Sequence, residues 1–307
     1  TAPGPGSRVN PTDDLPVEQA RRLCAEQAAP PGSDRDTAIR AAERQTRGRL
    51  LAVWSLWDAV AGVLHQVRDD NVARQKLAWW REELSQLPDT ARHPVTRLWM
   101  LEALTAPDLL RNALQLCQRL SDIAAPRPFL DSSDLDRHCR QTGLPLARLL
   151  VLAADPEADD LEAYAAALGP PLRRSELLLN LRDSARLGRC HLPAEPLHQA
   201  GLPPDELLQL GREPGLKTLL GSVAASIADD LASAERLIPA NRWNRQAPNR
   251  VIAALHCALW RELAGDGHPL ITHRTELTPL RRFWIARRCI RRRQPGPDNP
   301  SFEDRPR

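Results

Sequence analysis

The chain has 307 residues, of which 26% are charged and 4% aromatic, and a formal net charge of +3 at pH 7. A chain this long can bury a core without disulfides or metals, and its modest charge argues against a nucleic-acid-binding protein. The six cysteines are scattered without a Cys-x-x-Cys pair. This argues against a zinc site or a disulfide framework and favours a reducing, cytoplasmic location.

Leucine, alanine, arginine and glutamate dominate and β-branched runs are scarce, which favours helices over strands. We predict one all-α domain at residues 13–293, between disordered tails at 1–12 and 294–307. Apolar periodicity and helix start and stop signals predict helices, in chain order, at 14–28, 34–48, 50–66, 72–87, 94–104, 107–121, 133–153, 161–187, 204–210, 216–237, 250–264 and 277–293.

No apolar run is long enough to cross a membrane, and the N-terminus lacks the apolar segment of a signal peptide. We therefore expect a cytoplasmic protein.

Residues 50–84 form a predicted pair of helices joined by Asp69-Asp70-Asn71. Apolar residues cover most of the circumference of the first helix, so we expect it to be central and buried. Trp54 and Trp57 on this helix are expected to pack in the core. For Trp79-Trp80 on the second helix we also favour core packing, with one ring at its edge, over a ligand-binding wall.

Three segments carry motifs in an order typical of one enzyme family. They are the second helix of the pair, Ala73-Arg74-Gln75-Lys76-Leu77-Ala78-Trp79-Trp80-Arg81-Glu82-Glu83-Leu84; Leu181-Arg182-Asp183 with Gly188-Arg189-Cys190-His191-Leu192-Pro193; and Ala258-Leu259-Trp260-Arg261-Glu262-Leu263 with Pro279-Leu280-Arg281-Arg282-Phe283-Trp284. Together they resemble the squalene/phytoene synthase family over residues 35–293. The resemblance implies an isoprenoid-synthase-type helical bundle around a central cavity. It also implies head-to-head joining of prenyl diphosphates, with Mg²⁺ held by two Asp-rich motifs on facing helices.

The first of these motifs is lost. An ungapped alignment through Ala73-Arg74 places its aspartates at Ala61, Gly62 and His65. Asp58 stands where the family has an arginine, and one carboxylate does not make a metal cluster. His65 is a poor ligand for a hard cation such as Mg²⁺.

The second motif is half lost, because Asp183 remains but the second aspartate has no counterpart. The stretch from Asp183 to Arg189 is about three residues shorter than in the family, which removes nearly one helical turn. The glutamine that usually precedes the motif falls on Glu176, and the tyrosine before Leu-Pro is His191. We expect Arg182 and Asp183 to form a buried or half-buried ion pair, with a retained ligand site as the alternative.

We therefore name no catalytic residue, and we expect no metal and no cofactor. Arginines near Asp183 could still attract a phosphate, because guanidinium groups pair bidentately with such groups. The candidate ligand- or diphosphate-binding residues are Asp58, Arg182, Asp183, Arg186, Arg189 and His191.

The predicted last helix is rich in arginine, and apolar residues such as Phe283, Trp284 and Ile290 lie between its basic residues. It suits an anionic membrane surface, and equally a last core helix with a solvated arginine face. No RNA-recognition motif accompanies it, so no nucleic-acid partner is expected. The membrane-surface candidates are Arg281, Arg282, Arg287, Arg288, Arg291 and Arg292.

Two functions remain open from the sequence. The first is a catalytically inactive or strongly divergent family member, peripheral on the inner membrane face, that binds an isoprenoid or lipid or serves a protein partner as an accessory or assembly factor. The alternative is an active transferase that joins prenyl diphosphates head to head and recruits Mg²⁺ differently. Its candidate carboxylates are Asp58, Asp69, Asp70 and Asp183.

Overall fold

The computed structural model describes residues 17–67, 69–123, 128–207, 213–267, 270 and 275–294, without the side chains of His65 and Asp205. The all-α prediction is confirmed, because the described residues form helices and no strand. The helices are α1 (Val17–Ala28), α2 (Asp34–Arg40), α3 (Arg47–Gln66), α4 (Asp70–Ser85), α5 (Pro94–Leu101), α6 (Pro107–Asp122), α7 (Ser132–Ala154), α8 (Glu162–Leu179), α9 (Leu181–Arg186), α10 (Ala194–Gln199), a 3₁₀ turn (Pro204–Glu206), α11 (Pro214–Glu235), α12 (Ala247–Gly265) and α13 (Pro279–Arg291).

Helix α3 is the central element, as its all-round apolar sequence predicts. It packs against α1, α2 and α4 to α7, and Trp54 and Trp57 are buried in the main core. The prediction for the tryptophan pair of α4 is also confirmed, since Trp80 is 6% exposed and Trp79 is 41% exposed at the core's edge. The pair of helices at residues 50–84 therefore builds the scaffold.

Helix α4 is tied to the start of α5 by Glu83, whose side chain is fully buried. Its carboxylate accepts hydrogen bonds from the backbone N–H groups of Arg92 (2.6 Å) and His93 (2.9 Å) and from the Thr96 hydroxyl (2.7 Å). The Arg92 Nε atom adds a charged donor at 2.8 Å. These bonds satisfy a buried charge that would otherwise be costly.

Helices α7 and α8 approach each other most closely where two glycines meet. A Cβ atom on Gly143 would lie 2.4 Å from the carbonyl oxygen of Gly169, and one on Gly169 would lie 2.4 Å from that of Gly143. Any larger residue would push the helices apart. The contact fixes α8, which carries much of the site described below.

The single helix predicted at 161–187 is wrong, because α8 ends and α9 begins at Asn180. The side-chain amide of Asn180 donates to the carbonyl oxygen of Glu176 at 2.9 Å. Such side-chain bonds compete with the regular backbone pattern of a helix. Asp183 therefore lies in the first turn of a separate short helix, α9.

The other helix boundaries differ from prediction mainly at their ends. The predicted helix at 34–48 ends at Arg40, and α3 already begins at Arg47. The predicted N-terminal tail at 1–12, residues 13–16 and residues 208–210 of the predicted helix 204–210 lie outside the described residues. Of the predicted C-terminal tail only Gln294 is described, and its amide donates to the carbonyl oxygen of Ile238 at 2.8 Å.

Among the described residues, no helix combines the length and the apolar character needed to cross a membrane.

Candidate functional site

A large cavity of about 760 Å³ lies between α2, α3, α8, α9 and α12. This volume is in the range of small-molecule sites. Ala61 and Gly62, the aligned positions of the first motif, line the cavity together with Asp58. Asp183 lines it from α9. The structure therefore brings the remnants of both motifs to one cavity.

The apolar part of the wall comes from several helices. Tryptophan, leucine, alanine and isoleucine side chains surround the space, namely Trp54, Trp57, Ala61, Leu146, Leu172, Leu179, Leu187, Ile252, Leu259 and Leu270. The two tryptophans belong to the core and leave the cavity open. A wall of this kind suits an apolar chain.

Glu176 is the centre of an ionic network in this wall. Its Oε1 accepts hydrogen bonds from Trp57 Nε1 (2.7 Å) and Arg35 Nη2 (3.2 Å), and its Oε2 accepts one from Arg173 Nη1 (2.8 Å). The second Arg35 nitrogen reaches Asp58 Oδ1 at 3.1 Å. Both guanidinium groups also lie over indole rings, that of Arg173 over Trp57 at 4.9 Å.

Burial raises the pKa of the Glu176 carboxyl. The charges of Arg173 and Arg35 and the hydrogen bonds from Trp57 and Arg173 lower it, and together they outweigh the effect of burial. The net pKa lies below its ordinary value. Glu176 is therefore ionised, and it holds two arginines at neutral pH.

The third guanidinium group of the wall belongs to Arg282 of α13. It forms an ion pair with Asp34 at the start of α2, and the carboxylate of Glu276 lies 3.7 Å away. The described lining thus contains three guanidinium groups, each paired with carboxylates, and five carboxylates: Asp34, Asp58, Glu176, Asp183 and Glu276. The described residues of the cavity wall thus offer no uncommitted guanidinium group to a diphosphate.

The residues present do not fit the Mg²⁺ clamp that the resemblance implies. Ala61 and Gly62 supply no side-chain oxygen, and the Asp58 carboxylate is paired with Arg35. Asp183 lies on the rim with its carboxylate 68% exposed. Within the described ranges, no group of three or more His, Cys, Asp or Glu side chains is arranged to hold a metal ion.

The expected ion pair between Arg182 and Asp183 is wrong. Asp183 Oδ1 lies 3.7 Å from the Arg186 Nη1 atom instead, because residues three apart share one face of α9. Neither Arg182 nor Arg186 lines the cavity.

The other two carboxylates of the alternative reading lie outside the cavity. Asp69 caps α4 and accepts hydrogen bonds from the backbone N–H groups of Asn71 (2.8 Å) and Val72 (3.0 Å). Asp70 is the first residue of α4.

A second cavity of about 420 Å³ contains the remaining two candidates, Arg189 and His191. Arg189 Nη2 donates to the carbonyl oxygen of Val67 at 3.1 Å, and His191 lies near the Phe129 ring. Arg173 lines both cavities. Of the candidates predicted as one phosphate-binding group, two line the first cavity, two line the second, and Arg182 and Arg186 line neither.

Helix α13 divides its arginines between two faces. Arg282 and Arg292 lie on the inner side, where Arg292 Nη1 is 3.0 Å from Glu235 Oε2, so the membrane-surface prediction is wrong for both. Arg281 is exposed and pairs with Glu262 at 3.0 Å, and Arg288 is also exposed.

The outer face of α13 combines apolar and basic residues. Leu280, Phe283, Trp284 and Ile290 are all exposed large hydrophobic residues. Arg287 and Arg291 on the same face have no hydrogen bond or ion pair within the described structure. We call this set the α13 outer face.

A family model described as "Squalene/phytoene synthase" matches residues 29–283 of the chain. The chain belongs to the squalene/phytoene synthase family.

Two curated relatives in this family are named presqualene diphosphate synthase. The protein from Zymomonas mobilis is 27% identical over 61% of this chain and 68% of its own length, and that from Rhodopseudomonas palustris is 25% identical over 78% and 84%. Among solved structures, a dehydrosqualene synthase in complex with a ligand matches with a TM-score of 0.74 at 13% identity, covering 89% of this chain and 96% of that one. A squalene synthase from Alicyclobacillus acidocaldarius matches with a TM-score of 0.64 at 18% identity, covering 83% and 97%. These structures support the predicted bundle.

Several cavity residues of this squalene/phytoene synthase-like chain were missed by the sequence analysis as site residues. They include Arg35, Arg173, Glu176 and His256. The sequence did contain a signal for Arg173 and Glu176, because an arginine three residues before a glutamate inside a leucine-rich helix indicates a buried ion pair. The other two residues had no comparable signal in the sequence.

Proposed function

We propose that this protein is a non-catalytic or strongly divergent squalene/phytoene synthase family member that binds an isoprenoid or similar lipid chain in its large cavity, without a metal. One observation carries the proposal: the arginines of the apolar-walled cavity are all paired with carboxylates that the wall itself supplies. Ionising an allylic diphosphate requires charge stabilisation of the leaving group, and this wall has little to offer it.

The test is to incubate the purified protein with Mg²⁺ and farnesyl diphosphate, to measure diphosphate release, and to titrate the protein with farnesol by following tryptophan fluorescence. We expect saturable binding of farnesol and no release above the rate without protein. Release that Asp183→Asn abolishes and Asp89→Asn preserves would overturn the proposal, because Asp89 is an exposed carboxylate outside the cavity.

An active prenyl transferase is the second candidate, and one observation favours it. Asp58 on α3 and Asp183 on α9 line the same cavity, so a carboxylate remains on each of two helices. The names of the curated relatives agree with this reading. The same assay separates the two functions, since only the second predicts metal-dependent turnover.

The proposal includes peripheral association with the inner membrane face through the α13 outer face. Exposed aromatic and aliphatic side chains beside uncommitted arginines suit an interface with anionic lipids. Charge supports this occupant over an apolar protein partner, because the exposed charged residues of α13 are all arginines: Arg281, Arg287, Arg288 and Arg291. Membrane association also suits an isoprenoid ligand, because apolar ligands partition into bilayers and a protein at the membrane surface can reach them there.

A further inference from the structure

A chain of two hydrogen bonds runs from the buried core to the large cavity. Trp260 on α12 donates its indole N–H to Ser175 Oγ on α8 at 2.8 Å. Ser175 Oγ lies 2.7 Å from Nδ1 of His256, one turn before Trp260 on α12. Ser175 is fully buried and Trp260 is almost so, whereas the His256 ring lines the cavity.

The direction of these bonds follows from the chemistry of the groups. An indole N–H can only donate, so it occupies a lone pair of the Ser175 oxygen. No other acceptor bonds the Ser175 hydroxyl among the described residues, so its proton is directed at His256 Nδ1. Nδ1 is then an acceptor, and the proton of a neutral imidazole is held on Nε2.

The imidazole is neutral at pH 7. Burial lowers the pKa of His256, the carboxylates of Asp34 and Glu176 raise it, and Arg35 lowers it; the net shift is downward. The bond to Ser175 acts in the same direction, because a hydroxyl that donates to Nδ1 stabilises the unprotonated ring nitrogen.

The Nε2–H group has no partner among the described residues. This sets it apart from the guanidinium groups of the same wall, which are already paired. Ile252 and Leu259, one turn before and after His256 on α12, also line the cavity. The free donor is therefore flanked by apolar side chains.

We propose that Nε2–H of His256 donates a hydrogen bond to an uncharged oxygen at the end of the isoprenoid ligand, such as the hydroxyl group of a prenyl alcohol. This inference rests on the proposed function and specifies its ligand class. A neutral oxygen fits the wall better than a diphosphate, because its described residues contribute five carboxylates and only three guanidinium groups. The apolar neighbours of His256 then contact the chain.

The test compares three probes with the same chain: farnesol, the hydrocarbon farnesene and farnesyl diphosphate without metal. Affinities are measured by tryptophan fluorescence for the wild type, His256→Phe, His256→Gln and a control, His198→Phe, which changes an exposed histidine on α10. One hydrogen bond corresponds to about a fivefold preference for farnesol over farnesene. His256→Phe should remove that preference and leave farnesene binding unchanged, whereas His256→Gln, which keeps an N–H donor, and His198→Phe should retain it.

Different failures contradict different claims. If no probe binds, the proposed function fails and this inference falls with it. If farnesol and farnesene bind equally to the wild type, or if farnesyl diphosphate binds as well as farnesol, the ligand class is wrong although isoprenoid binding stands. If His256→Phe loses both ligands, the glutamine variant decides: a restored preference for farnesol supports the donor role, and its absence overturns it.

Discussion

Trp57 of α3 donates its indole N–H to Glu176 Oε1 of α8 across 2.7 Å. The bond joins the central helix to α8 in the wall of the large cavity. Glu176 also holds Arg35 and Arg173, so one carboxylate organises two arginines and a tryptophan. It stands where the family usually has a glutamine.

Glu176→Gln tests how much this carboxylate contributes to the stability of the fold. The amide keeps an acceptor for Trp57 but leaves Arg35 and Arg173 with less compensation, and we expect the free energy of unfolding to fall by about 2 kcal/mol. Urea denaturation at pH 7 measures the change. Glu18→Gln, at an exposed position of α1, should stay within about 0.5 kcal/mol of the wild type. An equal effect of the two substitutions would refute the role of the network.

The stabilisation that Glu176 provides should also depend on pH. The pKa of Glu176 is lowered from 4.5 in the folded protein, so its ionised form stabilises the fold fully above pH 4.5. That contribution is lost as the pH falls through the lower folded value. The difference in unfolding free energy between wild type and Glu176→Gln should therefore shrink between pH 6 and pH 3, as urea titrations at several pH values can show. A constant difference would contradict the assignment.

Glu83 should be much more important for stability than its neighbour Glu82. Glu83 is buried and accepts four hydrogen bonds from Arg92, His93 and Thr96 at the start of α5, whereas Glu82 is exposed and accepts one from Gln86. Glu83→Gln is expected to cost about 3 kcal/mol and Glu82→Gln less than about 0.5 kcal/mol. Thermal and urea unfolding of both variants would measure these losses. Similar losses for the two variants would show that the hydrogen bonds of Glu83 do not stabilise the fold.

Gly143→Ala should be among the most damaging small substitutions, because its methyl group would overlap the Gly169 carbonyl oxygen. We expect a loss of about 3 kcal/mol in unfolding free energy, or failure to fold. Gly265→Ala, at the end of α12 with no atom within 4 Å of the new methyl group, is the matched control and should be nearly neutral. Equal stability of both variants would disprove the close contact of α7 and α8.

Membrane association predicts that Arg287→Glu weakens binding to vesicles. Each basic residue near an anionic surface contributes about 1 kcal/mol, so reversing one charge should reduce binding to phosphatidylserine-containing vesicles at least fivefold. Sedimentation at low and high salt measures this. Arg44→Glu makes the same charge change at an exposed position before α3 and should reduce binding less. Absence of vesicle binding by the wild type at low salt would exclude the membrane and favour a protein partner.

The sequence predicted most of the helices and the central place of α3, and both follow from apolar periodicity, but it did not predict the short helix α10. The common location of both motif remnants was implied by the family resemblance. The break at Asn180 was missed because it depends on one side-chain bond to Glu176. The pairing of Arg282 was missed because its partner, Asp34, is 248 residues away in the chain. Residues so far apart in the chain meet only in the folded structure, so their contact could not be read from the sequence.

Arg173 has a consequence for ligand length. Its side chain borders both cavities and is held by Glu176 and by the face of Trp57. Arg173 therefore stands between these two cavities. On the proposed function, a prenyl chain too long for the first cavity would have to displace the Arg173–Glu176 salt bridge to reach the second.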